Sequence, residues 1–252
     1  MNAPVVIVTG GGSGIGRAAC TQLGARGARV LVVDRDLPGA EETVRLTREA
    51  GGEAVAHAAD VSDAAQVADY VRACEERFGG VDAFFNNAGI EGPIATIPDY
   101  SLEDFERVFR VNVTGVFLGL KYVIPALRRR GGGAIVNTAS QAGLRGVGNL
   151  SGYSASKHAV IGLSRAAALE TAAEGIRVNT ICPGPTSTRM MESIHTAVRS
   201  AGGDPDSFVT RIPAGRYGEP GEIAAAAVFL LLDAPAFLTG AEVPVDGGMT
   251  TP

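Results

Sequence analysis

The 252-residue chain has no tryptophan and, among 22 basic side chains, only two lysines, Lys121 and Lys157; every other cation is arginine. Cysteine and histidine are equally sparse. Cys20, Cys74 and Cys182 are scattered with no paired spacing, as are His57, His158 and His195. Neither a disulfide framework nor a metal centre is therefore expected, and three isolated thiols suit a reducing compartment. Positive charge is short as well: 27 acidic residues give a net charge of −5 and a pI near 5.3. That balance argues against nucleic acid or an anionic membrane as the main partner. No apolar run approaches the ~18 residues of a membrane span, and Val5–Val8 is far too short for the apolar core of a secretion signal. The expectation is a cytoplasmic protein.

Glycine is what the chain has in excess, 34 residues of 252, nearly double the usual ~7 %. Tight turns and close backbone approaches should follow. With 46 % hydrophobic residues the chain has ample material for one domain. Short β-branched runs alternate with helical patterns, which predicts a three-layer α/β fold with a doubly wound parallel sheet of about seven strands. Strands are expected at 5–9, 29–34, 53–58, 81–85, 134–138, 177–181 and near 242–245. Helices are expected at 14–26, through 43–50, at 63–78, 152–174 and 219–232. Two more should lie between, one opening near Ser101 and one carrying Val116–Leu127. Residues 183–218, rich in Pro, Gly, Ser and Thr, read as a long loop or lid with short helices.

The first strand runs into Thr9-Gly10-Gly11-Gly12-Ser13-Gly14-Ile15-Gly16, whose glycines follow the frame Gly10-x3-Gly14-x-Gly16. Glycine lets a backbone approach a pyrophosphate, and the helix start beyond it offers free N–H groups and a positive dipole. Asp34 ends the next strand, placed to bind ribose hydroxyls. Its charge would repel a 2′-phosphate, which favours NAD; Arg35 beside it keeps NADP open. Asn86-Asn87-Ala88-Gly89 closes the fourth strand in a tight turn.

The stretch Ala134–Ala159 carries the reactive side chains. Ser140 lies just past the carboxyl end of a buried strand, where open α/β sheets place ligands. Tyr153 and Lys157 fall one helical turn apart, on one face. A phenol is a poor acid–base catalyst near neutrality, its free pKa being about 10. A neighbouring ammonium favours the phenolate and should draw that value toward 7. Ser140 would donate a hydrogen bond to the oxygen on which charge develops. That one of only two lysines stands here fits a role for a compact point charge, which arginine does not fill.

With these motifs in place, the chain resembles the short-chain dehydrogenase/reductase family over nearly its whole length, Val5 to Gly248. Thr9 through Gly16, Asp60-Val61, Asn86 through Gly89, Asn112, Ser140, Tyr153-x3-Lys157 and Pro183-Gly184 stand in the family's order and spacing. The resemblance implies that Tyr153 donates or accepts the proton and that Ser140 orients the substrate oxygen. Lys157 would lower the tyrosine pKa and, with Tyr153, contact the cofactor at its nicotinamide ribose. Asn112 would hold a water relaying protons past Lys157. Gly10, Ser13, Gly14, Ile15, Gly16, Asp34, Asp60, Val61, Asn87, Ala88, Gly89, Pro183, Gly184, Thr186 and Thr188 would hold the dinucleotide. Thr186 departs from the family's usual Val or Ile, at a contact made through backbone. The family usually forms homotetramers through its long fifth and sixth helices and its last strand.

A narrower similarity, through Asn137–Ser140, Leu144–Gly146, Gly148-Asn149 and Ser156–His158, is to the branch of levodione reductases and cyclic-alcohol dehydrogenases. It suggests a small secondary alcohol or ketone, cyclic in form, as substrate. Ala142, Val147, Met190, Met191 and Phe208 would give the pocket an apolar lining, with Gln141 as its polar residue and no Arg or Lys awaiting a carboxylate. Two other readings stand beside this one. An NADPH-dependent 3-ketoacyl reductase would want a basic patch for an acidic carrier, which Asp34 and the low pI disfavour. A non-catalytic dinucleotide sensor would be free to lose Ser140, Tyr153 or Lys157, all of which are present.

Overall fold

The computed structural model describes residues 3–200 and 202–251. Its centre is β1, Val5–Thr9, in which every residue is buried. Alternation along this strand feeds two cores. Val5 and Ile7 point into one, Val6 and Val8 into the other. A strand covered on both faces has to be largely apolar, and Val5–Val8 is; the one buried polar residue, Thr9, closes the strand.

The remaining strands are β2 (Arg29–Asp34), β3 (Glu53–Ala58), β4 (Ala83–Asn86), β5 (Gly133–Thr138), β6 (Ile176–Pro183) and β7 (Glu242–Val245). All pair in parallel, in the order β3-β2-β1-β4-β5-β6-β7. The chain winds outward from β1 to one edge, then returns to build the other half. The crevice between β1 and β4 is where that reversal falls, the place for a ligand in a sheet of this kind.

Helices α1 (Gly14–Ala25) and α2 (Leu37–Glu49) cover one face together with α8 (Pro220–Val228). The other face is covered by α3 (Ala64–Phe78), α5 (Gly115–Arg130) and α6 (Ser151–Thr171), with α4 (Leu102–Phe109) packed against α6. The helix starts are fixed locally. Asp63 accepts from the N–H groups of Ala65 and Gln66 ahead of α3, and Ser101 from that of Asp104 ahead of α4. Glu219 and Glu222 close a reciprocal capping box on α8. Between β6 and α8 lies α7 (Arg189–Ser200), followed by a short tight helix at Pro205–Arg211.

One expectation needs correcting. The two helices placed between β4 and β5 are one continuous helix, Leu102–Arg130, because a single wide π turn at Arg110–Thr114 joins α4 to α5. Val111, Val113 and Thr114 are β-branched and Asn112 is a weak helix former, so the sequence there reads as a break. By length and composition this helix could cross a bilayer, but 44 % of its most apolar window is buried within the fold.

Candidate active site

A cavity of about 750 Å³ opens at the carboxyl ends of the strands. It collects residues from the turns just after β1 and β4, from β2, β5, β6 and α6, and from the segment between β6 and α8. At its β2 end stand Asp34, Asp60 and Val61; along its floor lie Gly10, Ser13, Gly14 and Ile15; opposite them are Asn87, Ala88 and Gly89. Ser140, Gln141, Ala142, Val147, Tyr153 and Lys157 form one wall, and Pro183, Gly184, Thr186, Thr188 and Met190 another. Met191 and Phe208 also line it. Thus the structure brings together all but two of the residues singled out above.

The two exceptions are Gly16 and Asn112. Gly16 is buried inside the turn: a Cβ there would stand 2.0 Å from the Gly10 carbonyl oxygen. Its glycine is required by the packing of α1 onto the turn, not by contact with the cavity. Gly10, at φ +62°, takes the left-handed conformation that brings it against Ala88. Asn87 fastens this junction from the other side, its side-chain amide donating to the Thr9 carbonyl at 3.1 Å. The Thr9 hydroxyl accepts from the N–H groups of Asn87 and Ala88.

Asn112 is fully buried behind the cavity wall, on the π turn. Its Oδ1 accepts from Ile90 N–H at 2.8 Å, and its Nδ2 donates to the Ile90 carbonyl and to Ser156 Oγ. Ser156 Oγ in turn donates to the Tyr153 carbonyl at 2.7 Å. The π turn is thereby tied to the helix that carries Tyr153. Asn112 Oδ1 and Lys157 Nζ both approach the open side of Gly89, within 3.2 and 3.3 Å of where a Cβ would lie.

At the reacting wall, Ser140 Oγ accepts from Ala142 N–H at 3.1 Å, which fixes the start of the loop after β5. Lys157 Nζ is buried and donates to the Thr138 carbonyl at 2.8 Å. Burial pushes the Tyr153 phenol up to about 12, with the Ser140 hydrogen bond acting against the rise and the Glu91 charge adding to it. Burial likewise holds Lys157 down at about 8. The expected drop of the phenol toward 7 is therefore not a property of the protein by itself. The ammonium lies over the ring, 5.5 Å from its centre, and donates to the Thr138 carbonyl, so desolvation is what governs the phenol.

Asp34 stands at the end of β2 with both carboxylate oxygens engaged. Oδ2 accepts from Gly12 N–H at 2.8 Å and Oδ1 from Asp36 N–H at 3.0 Å. The acid is thus held by the glycine turn itself, facing the cavity.

The segment from Pro183 to Gly218 is pinned at its base. Ser187 N–H donates to the Gly218 carbonyl and Gly218 N–H to that of Pro185. Inside it His195 stacks on Phe208 and its Nε2 lies 2.9 Å from the Tyr217 hydroxyl. The residues that sequence reasoning missed are charged. Glu91, Arg145, Arg189 and Arg211 all line the cavity, beside the apolar residues expected there. Only Arg145 had a local signal, lying one turn from Gln141, whose Oε1 accepts from its Nε at 2.7 Å.

The sequence pattern of a family described as "Enoyl-(Acyl carrier protein) reductase" (adh_short_C2) matches residues 10–250. The chain belongs to the short-chain dehydrogenase/reductase family. It is an oxidoreductase of that family, and the resemblance read from its motifs holds. It is 44 % identical to a levodione reductase of Leifsonia aquatica over 98 % of this chain and 94 % of the relative. It is 40 % identical to a cyclohexanol dehydrogenase of an Acinetobacter species, over 99 % of this chain and 96 % of the relative. Among solved family structures, an NAD+-bound xylitol dehydrogenase superposes with a TM-score of 0.94, at 36 % identity, covering 98 % of this chain and 99 % of the other.

Proposed function

We propose that this member of the family is an NAD-dependent dehydrogenase of small secondary alcohols, cyclic ones included. The observation that carries the reading is the meeting of Ser140, Tyr153 and Lys157 in one cavity with the Gly10–Ile15 turn and the Asp34 carboxylate. The residues present fit a dinucleotide. A backbone turn with no side chains at Gly10 and Gly14 opens a helix, and an acid ends the adjacent strand. Gly10, Ser13, Gly14 and Ile15 would hold the pyrophosphate side. Asp34 would take the adenosine ribose, Asp60 and Val61 the adenine, and Asn87 to Gly89 the middle. Pro183, Gly184, Thr186 and Thr188 would meet the carboxamide. When bound, the dinucleotide supplies the hydride acceptor and a positively charged ring beside the phenol.

Tyr153 takes the proton of the substrate hydroxyl in oxidation and returns it in reduction. Ser140 donates a hydrogen bond to the same oxygen and holds it against the phenol. Lys157 supplies the charge that the phenolate needs. Asn112 Oδ1 and Lys157 Nζ converge over Gly89, which supports a proton path leading away from Tyr153 behind the cavity wall. Gln141, Ala142, Val147 and Met190 shape the pocket around the substrate. The segment 183–218 serves as its lid.

A homotetramer is part of this proposal. Leu169 on α6 is 86 % exposed, Phe117 on α5 is half exposed and Phe237 beside β7 is fully exposed. Among the described residues β7 pairs only with β6, which leaves its outer edge open. Sedimentation at micromolar concentration should show a species near four times 25.8 kDa; a monomer refutes the assembly. The three buried free thiols suit a reducing cytoplasm. The deciding experiment measures initial rates with NAD+ and NADP+ at about pH 9 across cyclic and acyclic secondary alcohols. Turnover with NAD+ supports the reading. Turnover with NADP+ alone would give weight to Arg35 over Asp34 and to a ketoacyl reductase. NAD+ binding without turnover of any alcohol would favour the non-catalytic sensor.

A further inference from the structure

Most guanidinium groups among the described residues are occupied. Arginine after arginine is either in an ion pair, as Arg26 with Asp233 and Arg165 with Glu242, or spent on backbone carbonyls, as Arg29 and Arg177. Against that background the cavity stands out. Among the described residues Arg35, Arg189 and Arg211 line it with no ion pair and no side-chain hydrogen bond. Arg35 adjoins Asp34 at the β2 end and Arg189 opens α7, whereas Arg211 is exposed on the short helix that carries Phe208, at the lid side. Arg145, on the opposite loop after β5, is steered by Gln141 through its Nε. Its two terminal nitrogens are thereby left for another acceptor.

We infer that the substrate carries a carboxylate, which Arg211 grips at the lid while the hydroxyl faces Tyr153. The inference rests on the alcohol-oxidation reading above and names the substrate class for it. Three features support it. A guanidinium presents a planar fork that matches a carboxylate through two parallel N–H bonds. In a partly enclosed cavity this attraction is screened less than it would be on open surface. Glu91 also lines the cavity, on the far loop from the lid, whereas Arg211 stands on the short helix 205–211 that carries Phe208. The lid side thus offers a carboxylate a cation that no acid neutralises, while the hydroxyl is left to Tyr153. Met190 and Phe208 between them provide the apolar surface for a carbon ring. The dinucleotide has to share the same cavity along Gly10 to Asp34, so the room left suits a small acid.

The test compares cyclohexanol with 4-hydroxycyclohexanecarboxylate as substrates, and uses cyclohexanecarboxylate as a ligand that cannot react. Wild-type enzyme with NAD+ should oxidise the hydroxy acid with a kcat/KM about tenfold or more above that of cyclohexanol. Arg211→Met should raise KM for the hydroxy acid about tenfold more than KM for cyclohexanol, and Arg211→Lys should recover part of the loss. Equal KM shifts for the two alcohols, or a preference for cyclohexanol in the wild type, overturn the inference and leave the dehydrogenase reading standing. If neither alcohol is oxidised, calorimetric binding of cyclohexanecarboxylate decides. Binding that Arg211→Met weakens upholds the anion site while the dehydrogenase reading falls. No binding, or binding indifferent to the substitution, overturns the anion site.

Discussion

Lys157 Nζ donates to the Thr138 carbonyl at 2.8 Å while standing 5.5 Å from the centre of the Tyr153 ring. The buried ammonium is anchored to the last residue of β5, and the phenol lies beside it. An ammonium held this way is costly to the fold. Its pKa in the folded chain, about 8, is below the unfolded value of about 10.4, so the folded state sheds the proton first. Wild-type stability should therefore rise with pH between about 8 and about 10.4, where the unfolded chain still binds the proton. Lys157→Met should be more stable than wild type below pH 8, with the advantage shrinking across that window. The shift is worth about 3 kcal/mol; losing the bond to Thr138 returns about 1 kcal/mol. A net gain of about 2 kcal/mol in urea titrations at pH 6.5, much reduced at pH 10, is expected, together with loss of turnover.

Tyr153→Phe keeps the ring and removes the acid–base group. We expect kcat/KM for alcohol oxidation to fall between about 10²- and 10⁴-fold, with dinucleotide affinity largely retained. The absence of tryptophan leaves the fluorescence of NADH unobscured, so a direct titration measures that affinity. Loss of binding in parallel with turnover would mean the phenol holds the cofactor more than it moves protons.

Asp34→Ser should shift the preference between cofactors. It removes the charge that faces a 2′-phosphate and leaves Arg35, which among the described residues has no partner, to meet one. The ratio of kcat/KM for NAD+ over NADP+ should drop by about tenfold or more. A ratio that holds would place specificity elsewhere along the cavity.

Gly16→Ala puts a methyl group against the Gly10 carbonyl oxygen, at a distance no packing tolerates. Either α1 or the turn must move. A loss of about 2 kcal/mol or more in stability and weaker NADH binding are the expected outcomes, read by thermal denaturation and the same titration.

Tyr100 offers the opposite case. Its hydroxyl is buried against Gly92 and Gly152 with no hydrogen-bond partner among the described residues, and burial pushes its pKa up. Tyr100→Phe deletes an unsatisfied polar group without opening a cavity, so stability should rise by about 1 kcal/mol. A loss of stability would show that the hydroxyl is satisfied in solution.

The parts of this fold legible in the sequence are those where local and global preferences agree. β1 and β2 lie where their β-branched, turn-bounded runs placed them, and β3 and β7 also keep their expected bounds. β6 extends beyond its expected 177–181 to Ile176–Pro183. The long helix was split in expectation because Val111–Thr114 argues against a helix locally; the tertiary bond from Asn112 to Ile90 sustains the helix through a wide turn instead. The floor of the site was legible because its glycines and Asp34 fall within one βαβ unit. Arg211 was not, since nothing near it in the chain indicates that its short helix faces Ser140. A glycine motif likewise does not reveal which of its members touch a ligand: Gly10 does face the cavity, whereas Gly16 supports the turn from behind.

The cavity joins the two ends of the chain. Gly10 and Met249 line the same space, Gln22 on α1 donates to the Gly221 carbonyl, and Arg26 pairs with Asp233. The walls that the glycine turn needs come from β5, β6 and the segment after β7, far along the chain. Contacts of such long sequence separation close slowly, so the turn folds locally well before it has a working site, and the docking of α1 on α8 belongs to that late step.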